Sequence, residues 1–407
     1  METEFREMIS PAEADAMLAA AMPRYAQVTL PLSRAQGRIL RQAIRSDRAQ
    51  PPFDRVAMDG IAFAFSAWEA GARRFVVQGM QKAGEAPRRL KEGAHCLEVM
   101  TGAVLPLGAD CIAPVEDLRM EEGFAVLEER AGAPAAYRYV HRAGGDCGAG
   151  ETLVPEGVLL TAAHIGAAAA FGLKDLKVAE TPSVAIVATG DELVDVGRLP
   201  LPHQIRKSNP YAIEAALRKR RIERVALLHA RDDKSRLRTC LEGLRGKCDA
   251  LILTGGVSMG KTDYVPAALL EQGVRPLFHR IRQKPGKPFW FGVGASGVPV
   301  FALPGNPASV LMCLHRYVLP ALTLAMGGAF REWVPAVLSQ GAPAPGKLAQ
   351  YRPVACGFDD EGRRTAEWVE NRGSGDFSGW ARADGFVELE PGDAAVEAGR
   401  KVRLWQW

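Results

Sequence analysis

The feature that most constrains the fold of this chain is the segment Ala250–Val265, which reads ALILTGGVSMGKTDYV. It opens with an apolar run, Leu251–Leu253, that has the length and composition of a buried strand. Three glycines follow within six residues, and glycine lets backbone amides approach a bulky ligand closely. Asp263 stands where a helix is expected to begin. A strand, a glycine turn and a helix start together predict an anion-binding corner.

The same segment matches the phosphate-loop pattern, because four residues separate Gly255 from the run Gly260-Lys261-Thr262. In a phosphate-loop NTPase the lysine and threonine start a long helix, whereas here Pro266 falls in the first turn of that helix. A nucleotide hydrolase therefore stays as an alternative, which predicts ATP or GTP hydrolysis that is lost in Lys261→Ala.

Composition narrows the class of protein. The chain has 407 residues, enough for two to four domains, and its net charge of +4 comes from dispersed basic residues, which gives no indication of a nucleic-acid partner. None of the seven cysteines forms a CxxC pair, which favours reduced thiols in a cytoplasmic protein. The polar amino-terminal segment excludes a signal peptide, and we expect no membrane-spanning run.

Strands and helices alternate from Ser183 to Leu319, which predicts a parallel α/β sheet. The predicted strands are Val184–Ala188, Val225–Leu228, Ala250–Leu253, Pro288–Phe291 and Val298–Ala302. The predicted helices are Pro210–Arg220, Lys234–Leu244 and Ala308–Leu319.

The flanking regions have other patterns. Ser10-Pro11-Ala12-Glu13 is a capping box, and we predict helices over residues 11–22, 34–44 and 162–171. Short apolar runs separated by turns predict an all-β module over residues 53–145, inserted into this helical part. The tail, 331–407, is expected to begin with a proline-rich linker at 341–346 and to form a small β-barrel or sandwich.

Four loops follow strands of the predicted sheet, at residues 189–192, 231–233, 254–263 and 304–307. In a parallel sheet they share the carboxyl edge, where open α/β sheets bind ligands. They carry the carboxylates Asp191, Glu192, Asp232, Asp233 and Asp263 beside two turns rich in backbone amides. Carboxylates would repel an anion unless a hard cation intervenes, which points to Mg²⁺. Each of these acids has an alternative role as a helix cap. Lys284 and Lys287 are candidates for nearby positive charge.

Motifs along nearly the whole chain are similar to those of the MoeA/gephyrin E-domain family of molybdopterin molybdenumtransferases. They are Pro51-Pro52-Phe53-Asp54, Ala57-Met58-Asp59-Gly60, Met100-Thr101-Gly102-Ala103, Leu105-Pro106, Gly108-Ala109-Asp110, Thr189-Gly190-Asp191-Glu192-Leu193, Ser208-Asn209, Gly255-Gly256-Val257-Ser258, Asp263 and Leu303-Pro304-Gly305-Asn306-Pro307.

The resemblance implies a multidomain architecture of α/β and β parts. A helical linker domain would comprise residues 1–50 and 146–177, an inserted β domain 51–145, an α/β molybdopterin-binding domain 178–328 and a C-terminal β-barrel domain 329–407. It also implies a homodimer whose active site lies at the subunit interface, between the α/β domain of one subunit and the inserted β domain of the other.

The implied activity is a transferase step of molybdenum cofactor biosynthesis: Mg²⁺-dependent insertion of molybdate into adenylylated molybdopterin, with release of AMP. By motif, the pterin and phosphates would be bound by Thr189, Gly190, Asp191, Gly255, Gly256, Ser258, Gly260, Pro304, Gly305 and Asn306. The metal would be held by Asp191, Glu192, Asp232 and Asp263. Residues with catalytic roles would be Asp59, Thr101, Asp146, Glu192, Asp232, Asp263, Lys284 and Lys287.

The chain departs from the family pattern at Gly144-Gly145-Asp146, at His203-Gln204 and Arg206-Lys207 before Ser208, and at Lys261-Thr262; Asn371–Gly379 is a loose version of the tail motif. These departures leave open a preference for tungstate, or a paralogue that acts as a non-catalytic scaffold or carrier. An adenylyltransferase with the same α/β domain is a further alternative, disfavoured by the β insertion and the barrel.

Overall fold

A computed structural model describes residues 5–128, 132–258, 264–330 and 332–407. The chain divides into two compact units. The larger comprises Met1–Gln42, Glu156–Ile165 and Asp175–Trp407, and the smaller comprises Ala43–Pro155 and Gly166–Lys174.

The larger unit is built around a seven-stranded sheet. Its strands in spatial order are Arg6–Ile9, Arg275–Ile281, Trp290–Val293, Pro299–Leu303, Ala250–Thr254, Val184–Thr189 and Val225–Ala230. The prediction of an entirely parallel sheet is wrong at one strand, because Trp290–Val293 runs antiparallel to both of its neighbours. The chain segments before and after this strand are too short for the crossover of a dozen or more residues that a parallel connection needs.

Helices cover both faces of this sheet. The longer ones are Pro11–Ala21, Asn209–Lys219, Lys234–Leu244, Val265–Glu271 and Pro307–Ala325. On one face Ile186 and Ile252 are buried with residues of the first, second and last of these helices. On the other face Val187 and Leu253 are buried against the remaining two. Alternate side chains of each central strand are thus buried on opposite faces, which explains why these strands are continuously apolar in sequence.

The helix Pro307–Ala325 is long and apolar enough to cross a membrane, but 83% of its apolar window is buried inside the protein, as expected of a core helix. It has a π-helical turn at Leu314–Val318, between α-helical segments Pro307–Cys313 and Leu319–Ala325. Arg316 in this turn makes a paired contact with Asp15, through Nη1–Oδ1 at 2.6 Å and Nη2–Oδ2 at 2.8 Å.

The prediction of a helix over residues 34–44 is wrong. The helix there spans only Leu32–Ala35, and Gly37 follows it with φ = +77°. Ile39 and Leu40 then form β-bridges to Leu159 and Val178. Their apolar spacing fits a helix equally well, but the left-handed glycine ends the helix before they are reached.

The rest of the part predicted as helical is mixed. Two helices are confirmed there, Pro11–Ala21 with its capping box and Ala162–Ala170 followed by Gly172. The same part also contains four short strands in two antiparallel pairs: Gln27–Pro31 with Asp175–Ala179, and Ile44–Arg45 with Thr152–Val154.

The smaller unit has the predicted β structure. Its six-stranded sheet has the order Cys111–Pro114, Gly60–Phe63, His95–Val99, Arg74–Gln81, Phe124–Leu127 and Leu118–Glu121. A second pairing joins Arg55–Val56 to Val140–His141, and the unit also contains the short helix Phe65–Glu69 and a 3₁₀ turn at Val115–Asp117. Ile61 and Phe63 are buried on one face of the sheet and Ala62 on the other, so the sheet has apolar contacts on both sides.

The C-terminal part of the larger unit is a closed barrel. Its strands are Ala349–Phe358, Arg364–Trp368, Val334–Leu338, Lys401–Gln406 and Gly385–Leu389, and the last of these pairs with the first. The prediction that the proline-rich segment 341–346 is a linker preceding the barrel is wrong. The segment connects two strands of the barrel, Val334–Leu338 and Ala349–Phe358. The short strand Gln283–Lys284 joins the barrel by pairing with Ala349–Phe358, so the segment with both candidate lysines is attached to the barrel.

Candidate active site

The glycine turn at the carboxyl edge is shaped by two residues that have to be glycine. Gly255 has φ = +98°, and a Cβ there would lie 2.6 Å from the carbonyl oxygen of Thr189. Gly256 has φ = +64°, and a Cβ there would lie 2.9 Å from Cγ2 of Val265. Any side chain at these positions would push the turn away from the neighbouring loop, so the close approach of backbone predicted from the sequence is present.

Hydrogen bonds join this turn to the next two loops. Asn209 donates through Nδ2 to Oγ1 of Thr254 at 3.0 Å and to the carbonyl oxygen of Gly305 at 2.7 Å. The Thr254 hydroxyl in turn donates to the carbonyl oxygen of Pro304 at 3.1 Å. The loops after two parallel strands and the start of the helix Asn209–Lys219 therefore meet at one edge and are joined by polar side chains, as expected for a ligand site on an open sheet.

The acidic end of this edge consists of Asp191, Glu192 and Asp232, at the ends of two adjacent parallel strands. Asp191 and Glu192 are exposed, and within the described ranges their carboxylates make no hydrogen bond or ion pair. The Glu192 carboxylate folds back over Gly190, where a Cβ would lie 2.6 Å from Oε2. Asp232 is partly buried.

Asp233, the remaining acid of that loop, has the alternative role given for it. Its carboxylate accepts a hydrogen bond from the backbone N–H of Arg236 at 2.8 Å and caps the helix Lys234–Leu244. It is therefore occupied by local structure.

These acids fit Mg²⁺ in one of the two ways in which proteins hold it. Among the described residues no group of three or more carboxylate, imidazole or thiol side chains forms a ready cage. Mg²⁺ commonly binds through one or two carboxylates and completes its shell with water and substrate phosphates. The unpaired carboxylates of Asp191 and Glu192, close to the amides of the glycine turn, suit that second arrangement.

A basic cleft of about 860 Å³ opens beside the Pro304–Asn306 loop. Lys284, Lys287, Arg352 and Arg372 line it, and both lysines are exposed and make no ion pair within the described ranges. Asn306 contributes to the wall and donates through Nδ2 to Oγ of Ser374 at 2.8 Å. Arg372 lies 3.7 Å from Glu370 in an exposed ion pair. A concentration of cations of which the two lysines have no acidic partner attracts oxyanions and phosphates.

Asn306 precedes the helix Pro307–Cys313 but does not cap it with its side chain. No hydrogen bond of its side chain goes to the first turn, and Ala308 N–H donates instead to the carbonyl oxygen of Ser374 at 3.3 Å. The loop before the helix is thereby attached to the barrel segment 371–376, which brings Arg372 to the same cleft.

A buried polar network fixes the loop that carries the two lysines. Tyr317 donates its hydroxyl to Oε1 of Gln283, and Nε2 of Gln283 donates to the carbonyl oxygen of Gly286 at 3.1 Å. Tyr351, whose hydroxyl oxygen lies 3.3 Å from that of Tyr317, donates to Glu388 at 3.0 Å. Burial raises the pKa of both tyrosines, so they remain hydroxyl donors at neutral pH.

Gly286, at the apex of this loop, has φ = +80°, and a Cβ there would lie 2.5 Å from Sγ of Cys313. Its backbone is packed directly onto the helix that starts at the candidate site. The two lysines therefore extend from a loop whose backbone packs against that helix at Gly286 and pairs with a barrel strand at Gln283–Lys284.

The barrel side chains of the cleft were not identified from the sequence. Arg352 and Arg372 have no local motif, although the loose tail motif Asn371–Gly379 lies at the correct segment. Asn371 also lines the cleft; its Oδ1 accepts from Gly373 N–H, while its buried Nδ2 has no hydrogen-bond partner in the described structure. A buried amide donor without a partner is costly, and a ligand oxygen in the cleft would satisfy it.

The smaller unit brings together two predicted residues that are 42 positions apart in sequence. Thr101 donates to Oδ1 of Asp59 from its backbone N–H at 2.6 Å and from its hydroxyl at 2.7 Å. These two bonds lower the pKa of Asp59. Asp59 is exposed, so its carboxylate is ionised at the surface of the unit, and the two hydrogen bonds from Thr101 fix its position.

Asp146 is in another cluster of the same unit. Its Oδ1 lies 2.8 Å from Nε2 of His141, and Nδ1 of His141 lies 3.0 Å from Nη2 of Arg55. Because Arg55 can only donate, Nδ1 is the acceptor and Nε2–H donates to Asp146. The imidazole thus connects a cation to the carboxylate and fixes its orientation.

Part of the predicted site lies outside the described residues. This applies to Gly260, Lys261, Thr262 and Asp263; Ser258 is the last described residue before them and is exposed. The helix after the turn is described from Val265 and has only seven residues, which does not favour the long helix of a phosphate-loop NTPase.

Three family profiles match the chain in succession. Residues 9–172 match the MoeA N-terminal region (domain I and II), residues 185–324 match a probable molybdopterin binding domain, and residues 332–407 match the MoeA C-terminal region (domain IV).

Relatives extend over almost the entire chain. The molybdopterin molybdenumtransferase of Synechocystis sp. is 34% identical and is aligned over 98% of this chain and 100% of its own length. Molybdopterin molybdenumtransferase 2 of Mycobacterium tuberculosis is 30% identical, over 93% of this chain and 94% of its own length.

Solved structures agree with these relatives. A molybdopterin biosynthesis MoeA protein from Pyrococcus horikoshii has a TM-score of 0.78 at 27% identity, over 98% of this chain and 99% of its own. The profiles, the full-length relatives and this structure point to one family, and the chain belongs to the MoeA family of molybdopterin molybdenumtransferases, which acts in molybdenum cofactor biosynthesis.

Proposed function

We propose that this protein inserts molybdenum from molybdate into adenylylated molybdopterin and releases AMP. The observation that carries the proposal is the basic cleft, which Lys284 and Lys287 line together with the Pro304–Asn306 loop, Arg352 and Arg372. Molybdate and a phosphorylated pterin are both anions, and the cleft offers four cationic side chains of which the two lysines are unpaired within the described ranges. The named activity of the full-length relatives supports the same reaction.

In this reaction the two dithiolene thiols lose their protons as their sulfurs bond to molybdenum, and an oxygen displaced from molybdate leaves with those two protons as water. Water also cleaves the phosphoanhydride bond, so that AMP departs and the pterin keeps its own phosphate. The sulfurs supply the ligands of the metal, so the protein contributes mainly position and charge. The lysines attract and orient the oxyanion, and the amides of the glycine turn bind phosphate oxygens.

We assign Mg²⁺ to the acidic end, with Asp191 and Glu192 as ligands and with Asp232 and Asp263 completing or orienting the set. When bound there, Mg²⁺ would neutralise the charge that develops on the leaving AMP phosphate. The two carboxylates would hold the ion, and in the described structure neither makes an ion pair with Lys284 or Lys287, so both the acidic end and the lysines keep their charge for a ligand.

The candidate residues of the smaller unit would contribute to the active site through dimer formation. We propose a cytoplasmic homodimer in which Asp59, Thr101 and Asp146 of one subunit complete the site of its partner. The double hydrogen bond from Thr101 keeps Asp59 ionised and pointing in one direction, which suits a residue that orients a substrate group across an interface.

A release assay tests this function. Purified protein receives adenylylated molybdopterin, Mg²⁺ and either molybdate or tungstate, and AMP is followed over time. We expect oxyanion-dependent AMP release that is lost in Lys284→Ala and Asp59→Ala and unchanged in Lys247→Ala, an exposed lysine outside the site. Binding of the substrate without AMP release would instead assign the chain to the non-catalytic carrier role, and faster release with tungstate would change the metal.

A further inference from the structure

A second cavity, of about 640 Å³, lies in the larger unit and shares no lining residue with the basic cleft. The helix Asn209–Lys219 and the C-terminal half of the helix Pro307–Ala325 form two of its sides. Ile39, Val158 and Leu319 are among its apolar lining residues, and Trp407 is at another side. Its volume lies in the range of sites that hold small organic ligands.

His315 lines the cavity with its imidazole. The residue is 6% exposed, and within the described ranges its side chain makes no hydrogen bond; its ring contacts that of Trp407, at 5.6 Å between centroids. Burial, reinforced by Arg220 and Lys219, lowers the pKa of His315 to about 3, so the imidazole is neutral at physiological pH. It offers one N–H donor and one acceptor nitrogen to a ligand in the cavity.

The other polar groups of the cavity differ in whether they already have a partner. Arg220 is already engaged with Glu332 through two contacts of 2.5 Å, and Thr323 donates to the same carboxylate at 2.8 Å. Lys219, by contrast, is exposed and makes no ion pair within the described residues. Arg38 also lines the cavity; it donates through Nη2 to the carbonyl oxygen of Ala179 at 2.6 Å and makes no ion pair within the described residues. The groups available to a ligand thus include one neutral imidazole and two cations, Lys219 and Arg38.

We propose that this cavity binds a small organic monoanion with an aromatic or alicyclic body. The apolar body would pack against Ile39, Val158 and Leu319, and the anionic group would face Lys219 and accept the N–H of His315. A cationic ligand would be repelled by Lys219 and Arg38, and a polyphosphate would place several charged oxygens against a largely apolar lining. A neutral apolar ligand would leave the imidazole of His315 without a hydrogen-bond partner.

The test uses 8-anilinonaphthalene-1-sulfonate as the anionic probe and N-phenyl-1-naphthylamine as its neutral counterpart, each titrated into the full-length protein by fluorescence. We expect saturable binding of one sulfonate per chain and weaker binding of the amine. Ala216→Trp, which fills the cavity, and Lys219→Glu should each raise the Kd of the sulfonate at least tenfold. Lys219→Glu should leave binding of the amine unchanged, and the exposed control Lys247→Glu should leave both unchanged.

Circular dichroism melting checks that each variant is folded, and Lys219→Glu, a surface change, keeps the test decisive if Ala216→Trp unfolds. Non-saturable binding, or a sulfonate Kd that neither variant alters, would overturn the proposal. So would sedimentation showing that Ala216→Trp dissociates an assembly of the chain, since the cavity would then be covered by a second copy.

Discussion

The two ends of the candidate site have opposite charge, and they differ in how firmly the surrounding structure fixes their side chains. The carboxylates of Asp191 and Glu192 extend from an exposed loop and are tied to nothing in the described structure, whereas Lys284 and Lys287 extend from a loop that is fixed by a buried network and by a strand pairing with the barrel. Hydrated Mg²⁺ tolerates mobile carboxylates because water completes its shell. An oxyanion that must meet two sulfurs in one geometry needs cations in fixed positions.

The largest effect is expected from reversing the charge of the rigid end. Lys284→Glu and Lys287→Glu should each lower oxyanion-dependent AMP release by about 10²- to 10³-fold, the size typical for loss of one preorganised electrostatic group. Steady-state kinetics at varied molybdate concentration would measure it. Lys247→Glu is the matched control, and a loss of similar size there would mean that net charge, not the cleft, is responsible.

The acidic end should respond less, and differently. Asp191→Asn and Glu192→Gln keep the side-chain shape but remove charge, so the Mg²⁺ concentration for half-maximal rate should rise about 10- to 100-fold. Saturating Mg²⁺ should restore much of the rate, because the loop is otherwise unchanged. If the rate falls at every Mg²⁺ concentration and the half-maximal value does not move, these residues do not bind the metal.

The rigidity of the basic end is tested by removing one hydroxyl. Tyr317→Phe leaves Oε1 of Gln283 buried without its donor, which should cost about 1–3 kcal/mol of unfolding free energy, measured by urea titration. If the network positions the lysines, KM for molybdate should also rise, whereas a purely structural role would lower stability alone. Tyr25→Phe, which removes a hydroxyl that donates to the carbonyl oxygen of Asp249 and does not line the cleft, serves as the control for kinetics.

The smallest effect concerns Asp59, a carboxylate that differs from Asp191 in being held. Thr101→Val removes the hydroxyl bond and keeps the backbone one, so the pKa of Asp59 should rise toward its ordinary value, as NMR titration of the carboxyl carbon would show. A lowered pKa adds stability above the unfolded pKa, near 4, and that contribution is lost as pH falls through the folded pKa. The difference in unfolding free energy between wild type and variant should therefore be larger at pH 7 than at pH 2.

Local patterns predicted what depends on neighbours in sequence. The strand ends that carry Gly255 and Asp191 were evident from apolar runs and glycine, and the shared sheet edge followed from topology rules. The patterns failed where distant segments decide the outcome: Arg352 and Arg372 reach the cleft only because the barrel packs there. Ile39 has helical spacing but pairs as a bridge, because its partner Leu159 is 120 residues away.

The π turn at Leu314–Val318 has a consequence for insertions and deletions in this chain. A π turn holds about one residue more than an α-helical turn, so the helix on one side of it is rotated by roughly 100° relative to an uninterrupted α-helix. His315 lines the second cavity, Arg316 meets Asp15 and Tyr317 reaches the lysine loop, all within this turn. Removing a single residue here would restore a regular helix and put these three side chains out of phase with their surroundings, which makes this turn a length-sensitive joint in the core helix.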